Sequence, residues 1–444
     1  MKRMLALALL LAIVLPVSAL YWVGISPFAV GEAMRVGTGM TAKLGCSGIY
    51  LSGFSEEDIL RDLASYSPAA NVVSLKRLEP DTVAADISGM ATATARFIPG
   101  QGCTLAFPGM IDRQSLSLIA SANEREDRLA VAVDAGVQTI LEQVLSEDSD
   151  AGLDTRALLV LKNGELIAQA YRDGITAETP LLGWSMAKSV TAILLGRMEA
   201  MGLADPASQN LFPAWQNDDR RAISVLNMLQ MSSGLAFEEI YGPGSDATRM
   251  LFTVPDASAI ALQKSVDHAP GEHFAYSSGT TNLLMRYAMQ QLGGEPQDLL
   301  SFWQEQIVAP LGLTATTFEM DASGVFVGSS YLYAPASDWA RMGQLMLDDG
   351  VVGGKRLLPQ DWVARAQAPN NSKNDPRYGY QFWLNAGTEE PRWPDLEAGA
   401  YAMMGNRGQV VMILPEHGAV VVRLGWSAAP YPYNAQLGRI QAVL

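Results

Sequence analysis

Two pairs of β-forming segments lie far apart in this chain, and a long helical stretch separates them. Ala157–Leu161 and Glu165–Tyr171 flank Asn163-Gly164, a dipeptide suited to a tight hairpin because both residues tolerate positive φ. Gln409–Leu414 and Ala419–Leu424 are β-branched and nearly continuous, joined by Pro415-Glu416-His417-Gly418. Between the pairs the pattern is mostly helical to about residue 350. Strands first, helices in the middle and strands last predict an α+β fold, a mixed sheet with a helical insertion. A doubly wound parallel sheet would instead alternate strand and helix throughout. No repeat with a period of about 20 to 50 residues is present.

One helix of that stretch opens on Gly183-Trp184-Ser185-Met186-Ala187-Lys188-Ser189-Val190. Val190, Ile193, Leu194, Leu195 and Met198 form its apolar stripe, and Gly202 suits its C-terminal cap. Residues three apart share a helix face, so the Ser185 hydroxyl and Lys188 amine fall within reach of one another. A serine hydroxyl is a weak nucleophile until a base takes its proton, and a lysine serves as base only when its ammonium is disfavoured. Apolar surroundings and the positive end of the helix dipole both disfavour it. No other lysine in the chain has a serine three residues before it. The bland alternative is a helix N-terminus that happens to carry a lysine, and other parts of the chain must decide.

With 444 residues the chain is long enough for about two folded units. Hydrophobic residues make up 49% and charged residues 17%, which supports sizeable cores and excludes extensive disorder. Acidic residues outnumber basic ones, 46 to 31, for a formal charge of -15. Such a surface repels phosphate backbones, so nucleic acid is not an expected partner.

The N-terminus carries an address. Lys2 and Arg3 precede an uncharged stretch from Met4 to Gly31. One reading is a signal peptide with Leu5–Leu15 as its apolar core and cleavage after Ala19. The other, which we favour, is an uncleaved membrane anchor over Met4–Val23, with Tyr21 and Trp22 at the bilayer interface. Either way the remainder is exported, to the periplasmic face of the inner membrane if anchored. Residues 1–31 thus form a leader or anchor, 32 to about 120 a small N-terminal module, and 121–444 the main domain. In the module, Glu56–Tyr66 has helical spacing, and Asn71–Leu75, Thr82–Ile87 and Ala91–Ile98 read as strands. A polar bridge, Ser121–Arg128, leads to an amphipathic helix at Leu129–Leu145. The two cysteines, Cys46 and Cys103, both fall near the module, and export makes a disulfide the expected state, with two buried thiols as the alternative.

Two further motifs carry chemistry. Pro270-Gly271-Glu272-His273-Phe274-Ala275-Tyr276-Ser277-Ser278-Gly279 runs from a turn through a short extended piece into a helix over Thr280–Leu292. Tyr276 is either a half-buried tyrosine ahead of a serine cap or a phenol held against Lys188 to relay protons. Gly405-Asn406-Arg407-Gly408-Gln409-Val410-Val411 stands at the mouth of the terminal hairpin, where glycine permits close approach of a carbonyl substrate. The backbone N–H groups of Ser185 and Gln409 then form a candidate oxyanion hole. A bulge-forming loop is the alternative.

Together these segments resemble the class C β-lactamase superfamily of serine hydrolases, which includes penicillin-recognising carboxypeptidases, esterases and 6-aminohexanoate-dimer hydrolases. The likeness runs from about Leu129 to the end and extends beyond the motifs above. It includes Leu229-Gln230-Met231-Ser232-Ser233-Gly234-Leu235, Pro310-Leu311-Gly312-Leu313, Asp338–Leu345 and Tyr378-Gly379-Tyr380-Gln381-Phe382-Trp383-Leu384. It implies an antiparallel sheet flanked by helices with a mainly helical subdomain, the β-lactamase/transpeptidase-like fold. It implies Ser185 as acylated nucleophile, Lys188 as its base partner and Tyr276 as the tyrosine of Y-x-N, with no metal and no cofactor. Gly408-Gln409 corresponds to the end of the K-T-G strand motif. Ser278 replaces the family's Asn, and Asn406 its Lys, with Arg407 keeping a positive charge nearby. Ser278, Asn406, Arg407 and Gly408 are therefore candidate substrate-binding residues. Their departures favour small amides, esters or peptides over β-lactams.

Other chemistries have less to draw on. A Ser-His-Asp triad has His268, His273 and His417 only, and the sequence around Ser185 lacks the second glycine of a nucleophile elbow. A zinc site has neither an H-x-x-x-H pair nor clustered cysteines. Tyr241 suits either a flap or surface packing. The resulting expectation is an exported, membrane-anchored serine hydrolase acting on small amides or esters. The alternatives are a catalytically idle relative that binds or senses cell-wall peptides, and a β-lactamase or D-Ala-D-Ala carboxypeptidase.

Overall fold

A computed structural model describes residues 26–78, 80–118 and 129–444. The Met4–Val23 segment, the alternative cleavage point after Ala19 and the Ser121–Arg128 bridge lie outside the described residues. Among the described residues no helix is long and apolar enough to cross a membrane. The chain forms two compact units. The smaller takes the chain up to Ile98, then Cys103–Met110 and Glu238–Pro255; the larger takes Pro99–Gly102, Ile111–Phe237 and Asp256–Leu444. The division thus differs from a single boundary near residue 120. A segment from the middle of the sequence, carrying the helix Asp246–Phe252, belongs to the smaller unit.

In the smaller unit the strands Ser74–Leu78, Thr82–Asp86, Thr92–Ile98 and Gly102–Leu105 form a sheet in chain order, the first three antiparallel. The expected strand at Asn71–Leu75 is displaced, because Pro68–Val72 forms a turn of 3-10 helix capped by Ser67. Helix Glu56–Ala64 begins where the reading placed it. Ser55 accepts the Asp58 N–H at 3.1 Å, and Glu56, Glu57 and Asp58 lie at the positive end of the helix dipole. The long helix Val30–Tyr50 is without a sequence counterpart. Its glycines weaken the helix signal but serve packing: a Cβ at Gly45 would come within 2.7 Å of the Leu75 side chain, and one at Gly39 within 2.3 Å of the Phe252 carbonyl oxygen. Cys46 on this helix is disulfide-bonded to Cys103 on the fourth strand, with Cα atoms 6.0 Å apart and both side chains buried.

The larger unit is built on a six-stranded antiparallel sheet. Its order is Trp383–Leu384, Tyr401–Gly405, Gln409–Leu414, Ala419–Gly425, Thr155–Lys162, Glu165–Tyr171. The two hairpins seen in the sequence therefore meet: Val420 pairs with Leu161 and Val422 with Leu159. Asn163 and Gly164 turn the first hairpin with φ of 51° and 81°. Both faces of the central strands are covered, which explains why they read as continuous rather than alternating apolar runs. On one face, Val137, Leu141 and Val144 of helix Ala135–Asp150 and Leu437 and Ile440 of helix Tyr433–Gln441 pack on Leu158, Val160, Val410, Met412 and Val421. On the other, helix Ala336–Leu347 comes so close that a Cβ at Gly343 would lie 2.7 Å from Val420. The helix expected at Leu129–Leu145 begins later, at Ala135. Asp134 caps it by accepting the Gly136 and Val137 N–H groups, and the residues before it extend along Glu165–Tyr171. The rest of this unit is mainly helical.

The disulfide closes a sequence separation of 57 residues, for which loop entropy gives about 4 kcal/mol of stabilisation. Protein recovered from an oxidising compartment should show no alkylation of Cys46 or Cys103 before reduction, by mass spectrometry. Replacing both with Ala should lower the unfolding midpoint of the smaller unit.

Candidate active site

Ser185 stands at the N-terminal end of helix Met186–Ala200 with its own backbone already in the helical region, φ -65° and ψ -7°, and its side chain caps nothing in the helix. The N–H groups of Met186, Ala187 and Lys188 are taken by the carbonyls of Gly183, Trp184 and Ser185; the Ser185 N–H, one residue earlier, is outside this ladder. Trp184 is held at φ 49°, a conformation disfavoured for a bulky residue and retained only where packing enforces it. Here its indole packs between Tyr331 and Trp426, at ring-centroid distances of 6.4 and 6.1 Å. A Cβ on Gly183 would strike the Trp339 ring at 2.1 Å. These contacts fix the bend that presents Ser185.

Lys188 is 1% exposed. Its amine donates to Ser185 Oγ at 3.0 Å, Ser278 Oγ at 2.9 Å and the Ser329 carbonyl at 3.0 Å. It also lies over the Tyr276 ring, 4.8 Å from the centroid. The sequence-derived set of Ser185, Lys188, Tyr276 and Ser278 is therefore brought together. Ser278 is fully buried, however, and its hydroxyl meets the lysine rather than an open surface. The hydroxyl of this candidate substrate contact is thus a partner of the lysine.

Ser329 was not found from the sequence. It is positioned by Asn282, whose Oδ1 accepts the Ser329 N–H at 3.1 Å, and by Thr191, whose hydroxyl donates to the Gly328 carbonyl at 3.0 Å. The run of small residues Gly328-Ser329-Ser330 was its only signal: a Cβ on Gly328 would fall 2.7 Å from Thr191 Oγ1. Gln381 was also passed over as a functional residue. It has a positive φ of 60° and is 2% exposed. Its amide donates to the Met228 and Leu229 carbonyls and accepts from Thr281, while its own carbonyl accepts from Ser189 at 2.6 Å. It thereby ties the Ser185 helix to the helix Ser278–Gln291.

Tyr276 is delivered by a short arm anchored at two points. Asn374 brackets Phe274 by accepting its N–H and donating to its carbonyl, both at 2.8 Å, and the Met231 carbonyl accepts the Ala275 N–H. Ser277 then caps the following helix by accepting the Thr280 N–H. Tyr276 stacks on Trp383 at 5.2 Å and meets Tyr378 edge-on at 6.0 Å. Phe274 packs on both Tyr378 and Trp383, completing an aromatic wall.

The last corner is Gly405–Gln409. A Cβ on Gly405 would lie 2.1 Å from the Gly183 carbonyl oxygen, so this strand end rests on the backbone that leads into Ser185. The Gln409 side chain exchanges two hydrogen bonds with the Gly425 backbone, which pins its main chain. Arg407, at φ 63°, turns inward: its guanidinium donates to the Ser427 carbonyl and lies over Trp426, and its carbonyl accepts from buried Arg423. Burial pushes the Arg423 guanidinium below its ordinary value, opposed by Tyr431, Tyr433, Asp148 and Asp154. Asn406 is exposed, and its Oδ1 accepts the Arg407 N–H. Gly408 has φ 85°, and a Cβ there would sit 2.4 Å from Arg423.

The sequence model of the beta-lactamase family matches residues 141–442. The chain belongs to that family. It is 27% identical over 300 residues to the 6-aminohexanoate-dimer hydrolase of Paenarthrobacter ureafaciens, covering 64% of this chain and 74% of the relative. Among solved structures it resembles a Bacillus anthracis protein provisionally named a 6-aminohexanoate-dimer hydrolase, with a TM-score of 0.59 at 20% identity over 71% of this chain and 85% of that one. It also resembles EstCE1, a hydrolase with promiscuous acyltransferase activity, with a TM-score of 0.57 at 16% identity over 69% and 97%. These likenesses confirm the β-lactamase-like serine hydrolase fold and family.

Replacing Gln381 with Leu keeps its bulk but removes its bonds to Met228, Leu229 and Thr281, leaving buried polar groups without this partner. The expected cost is about 3 kcal/mol. It should appear as a lower urea midpoint with an unchanged slope, and an unchanged midpoint would contradict the role given to Gln381.

Proposed function

We propose that the protein is an exported serine hydrolase that cleaves small amides or esters through an acyl-enzyme on Ser185. The observation that carries this reading is the buried Lys188 amine, 3.0 Å from Ser185 Oγ and 4.8 Å from the Tyr276 ring centroid. A neutral amine has two N–H bonds and one lone pair. To act as base the amine gives up the N–H it donates to Ser185 Oγ, keeps those on Ser278 Oγ and the Ser329 carbonyl, and turns its lone pair to Ser185. In acylation that lone pair takes the Ser185 proton as Oγ bonds to the substrate carbonyl carbon. The carbonyl electron pair moves onto oxygen, which the N–H groups of Ser185 and Gln409 receive. Collapse breaks the C–N or C–O bond, and the proton passes through Tyr276 to the leaving amine or alcohol. Water then attacks the ester carbonyl carbon, giving its proton to the same base, and as the carbon–Oγ bond breaks the base returns that proton to Ser185 and the acid leaves.

The named relative hydrolyses the 6-aminohexanoate dimer, which supports amide or ester substrates here. Ser278 is occupied by the lysine, and Asn406 carries no charge in place of the family's Lys, so small amides and esters are favoured over β-lactams. Export is supported by the apolar N-terminal segment and by the disulfide, with the catalytic unit on the periplasmic face of the inner membrane.

A serine-directed fluorophosphonate should label the wild type but not Ser185→Ala. Lys188→Ala and Tyr276→Phe should each slow ester turnover by a factor of about 100 to 10,000, with effects far from additive. Activity should fall on the acid side as the Lys188 lone pair is protonated, and near-normal turnover in Lys188→Ala would overturn the mechanism. Membranes washed in high salt should retain the protein, whereas a mature N-terminus at Leu20 would mean cleavage instead of anchoring.

A further inference from the structure

The aromatic wall beside Tyr276 ends on a cation that the hydrolytic step does not use. Arg392 lies over the Trp383 ring, its Cζ 4.5 Å from the centroid, and Trp383 in turn stacks on Tyr276. Successive contacts of 4.8, 5.2 and 4.5 Å thus lead from the Lys188 amine through Tyr276 and Trp383 to the guanidinium. Contact with the indole face restrains the guanidinium, so less rotamer freedom is left to lose on binding.

Arg392 has a long ion pair that it shares with Arg377. Its nearest carboxylate, Asp375, stands 3.6 Å from Nη2, beyond hydrogen-bond reach. Asp375 is already engaged by Arg377 at 3.2 Å, so one carboxylate serves two guanidinium groups. Arg392 Nε and Nη2 are buried with no hydrogen-bond acceptor among the described residues. The side chain is 24% exposed, which leaves Nη1 as its solvent-facing nitrogen. Burial pushes the guanidinium below its ordinary value, Asp375 opposing and Arg377 reinforcing the fall. In a chain of formal charge -15, a partly exposed guanidinium that shares a single carboxylate with Arg377 thus stands at the end of an apolar wall.

We infer that Arg392 is a specificity-determining residue of this site, receiving a carboxylate at the far end of a straight-chain substrate whose aliphatic part lies along the aromatic wall. The inference rests on the hydrolase reading above and deepens it: the favoured amides and esters are those with a terminal carboxylate. An apolar chain gains from the faces of Trp383 and Tyr276 without directional demands, whereas the carboxylate is recognised by charge and by an N–H donor.

The test has a binding arm and a kinetic arm, both on the full chain. Isothermal calorimetry compares hexanoate with hexanamide, equal in length and differing in charge. The wild type should bind hexanoate at least tenfold more tightly; R392Q should abolish that preference, and R392K should restore part of it. In the kinetic arm, the ratio of kcat/KM for p-nitrophenyl hydrogen adipate over p-nitrophenyl hexanoate should fall at least tenfold in R392Q. No hexanoate preference in the wild type, or a preference that survives R392Q, overturns the role of Arg392. Failure of the hydrolase reading is seen separately, as loss of fluorophosphonate labelling and of turnover on the neutral ester, while the binding arm still decides Arg392.

Discussion

A lysine amine withdrawn from water needs hydrogen-bond partners for all of its positions, and at Lys188 those partners set the arrangement of the site. Ser278 brings the start of the helix Ser278–Gln291 to the amine, Ser329 brings the loop ahead of the strand Leu332–Ala334, and Ser185 is the third. Each partner is fixed by something behind it: Ser277 caps the helix, Asn282 holds the Ser329 N–H, and the Trp184 bend holds Ser185. Shifting any of these would leave a buried amine short of a partner, a cost of about 1 to 3 kcal/mol or more. The same network holds the amine against the serine, 3.0 Å from Ser185 Oγ.

Backbone strain concentrates where these supports converge. Trp184, Met231, Gln381 and Arg407 are non-glycine residues with φ of 49°, 54°, 60° and 63°. Each is locked by specific contacts: indole packing for Trp184, the Ala275 N–H on the Met231 carbonyl, the amide bonds of Gln381, and the Arg423 guanidinium on the Arg407 carbonyl. Glycine does the complementary work of close approach, with Gly405 lying on the Gly183 carbonyl. Rigid elements alone would not bring strand end, helix start and loop this close. Strained turns held by buried polar groups do.

The sequence shows most clearly what depends on local periodicity and spacing. The hairpin at Asn163-Gly164, the strands Gln409–Leu414 and Ala419–Gly425 and the Ser185–Lys188 pair were all legible because neighbouring residues determine them. Ser277 as a cap was legible for the same reason. Ser329, Asn282 and Gln381 were not. Their chemistry arises only when segments far apart in sequence meet, and a buried amide or serine has no distinctive local pattern. The helix Val30–Tyr50 escaped notice for another reason: its glycines serve contacts with Leu75 and Phe252, and those contacts override propensity. The segment Glu238–Pro255 joins the smaller unit although no change of composition marks its departure from the larger one.

On the reading proposed here, substitution at two family positions has different physical consequences. Ser at 278 in place of Asn lacks an amide that could reach toward a substrate, and its hydroxyl accepts from the lysine. Replacing Lys by Asn at 406 removes a charge, and the new side chain folds back to accept the Arg407 N–H. Arg407 does not restore that charge at the same place, because its guanidinium is drawn onto Trp426 and Ser427. The cation nearest the aromatic wall is instead Arg392, on a different segment and over Trp383. On the reading proposed here, recognition of substrate charge has moved from the strand end beside the oxyanion donors to the far end of the wall. A substrate answering to that geometry is extended, with its scissile bond and its carboxylate separated by an apolar chain, rather than compact with the two groups adjacent as in a fused ring.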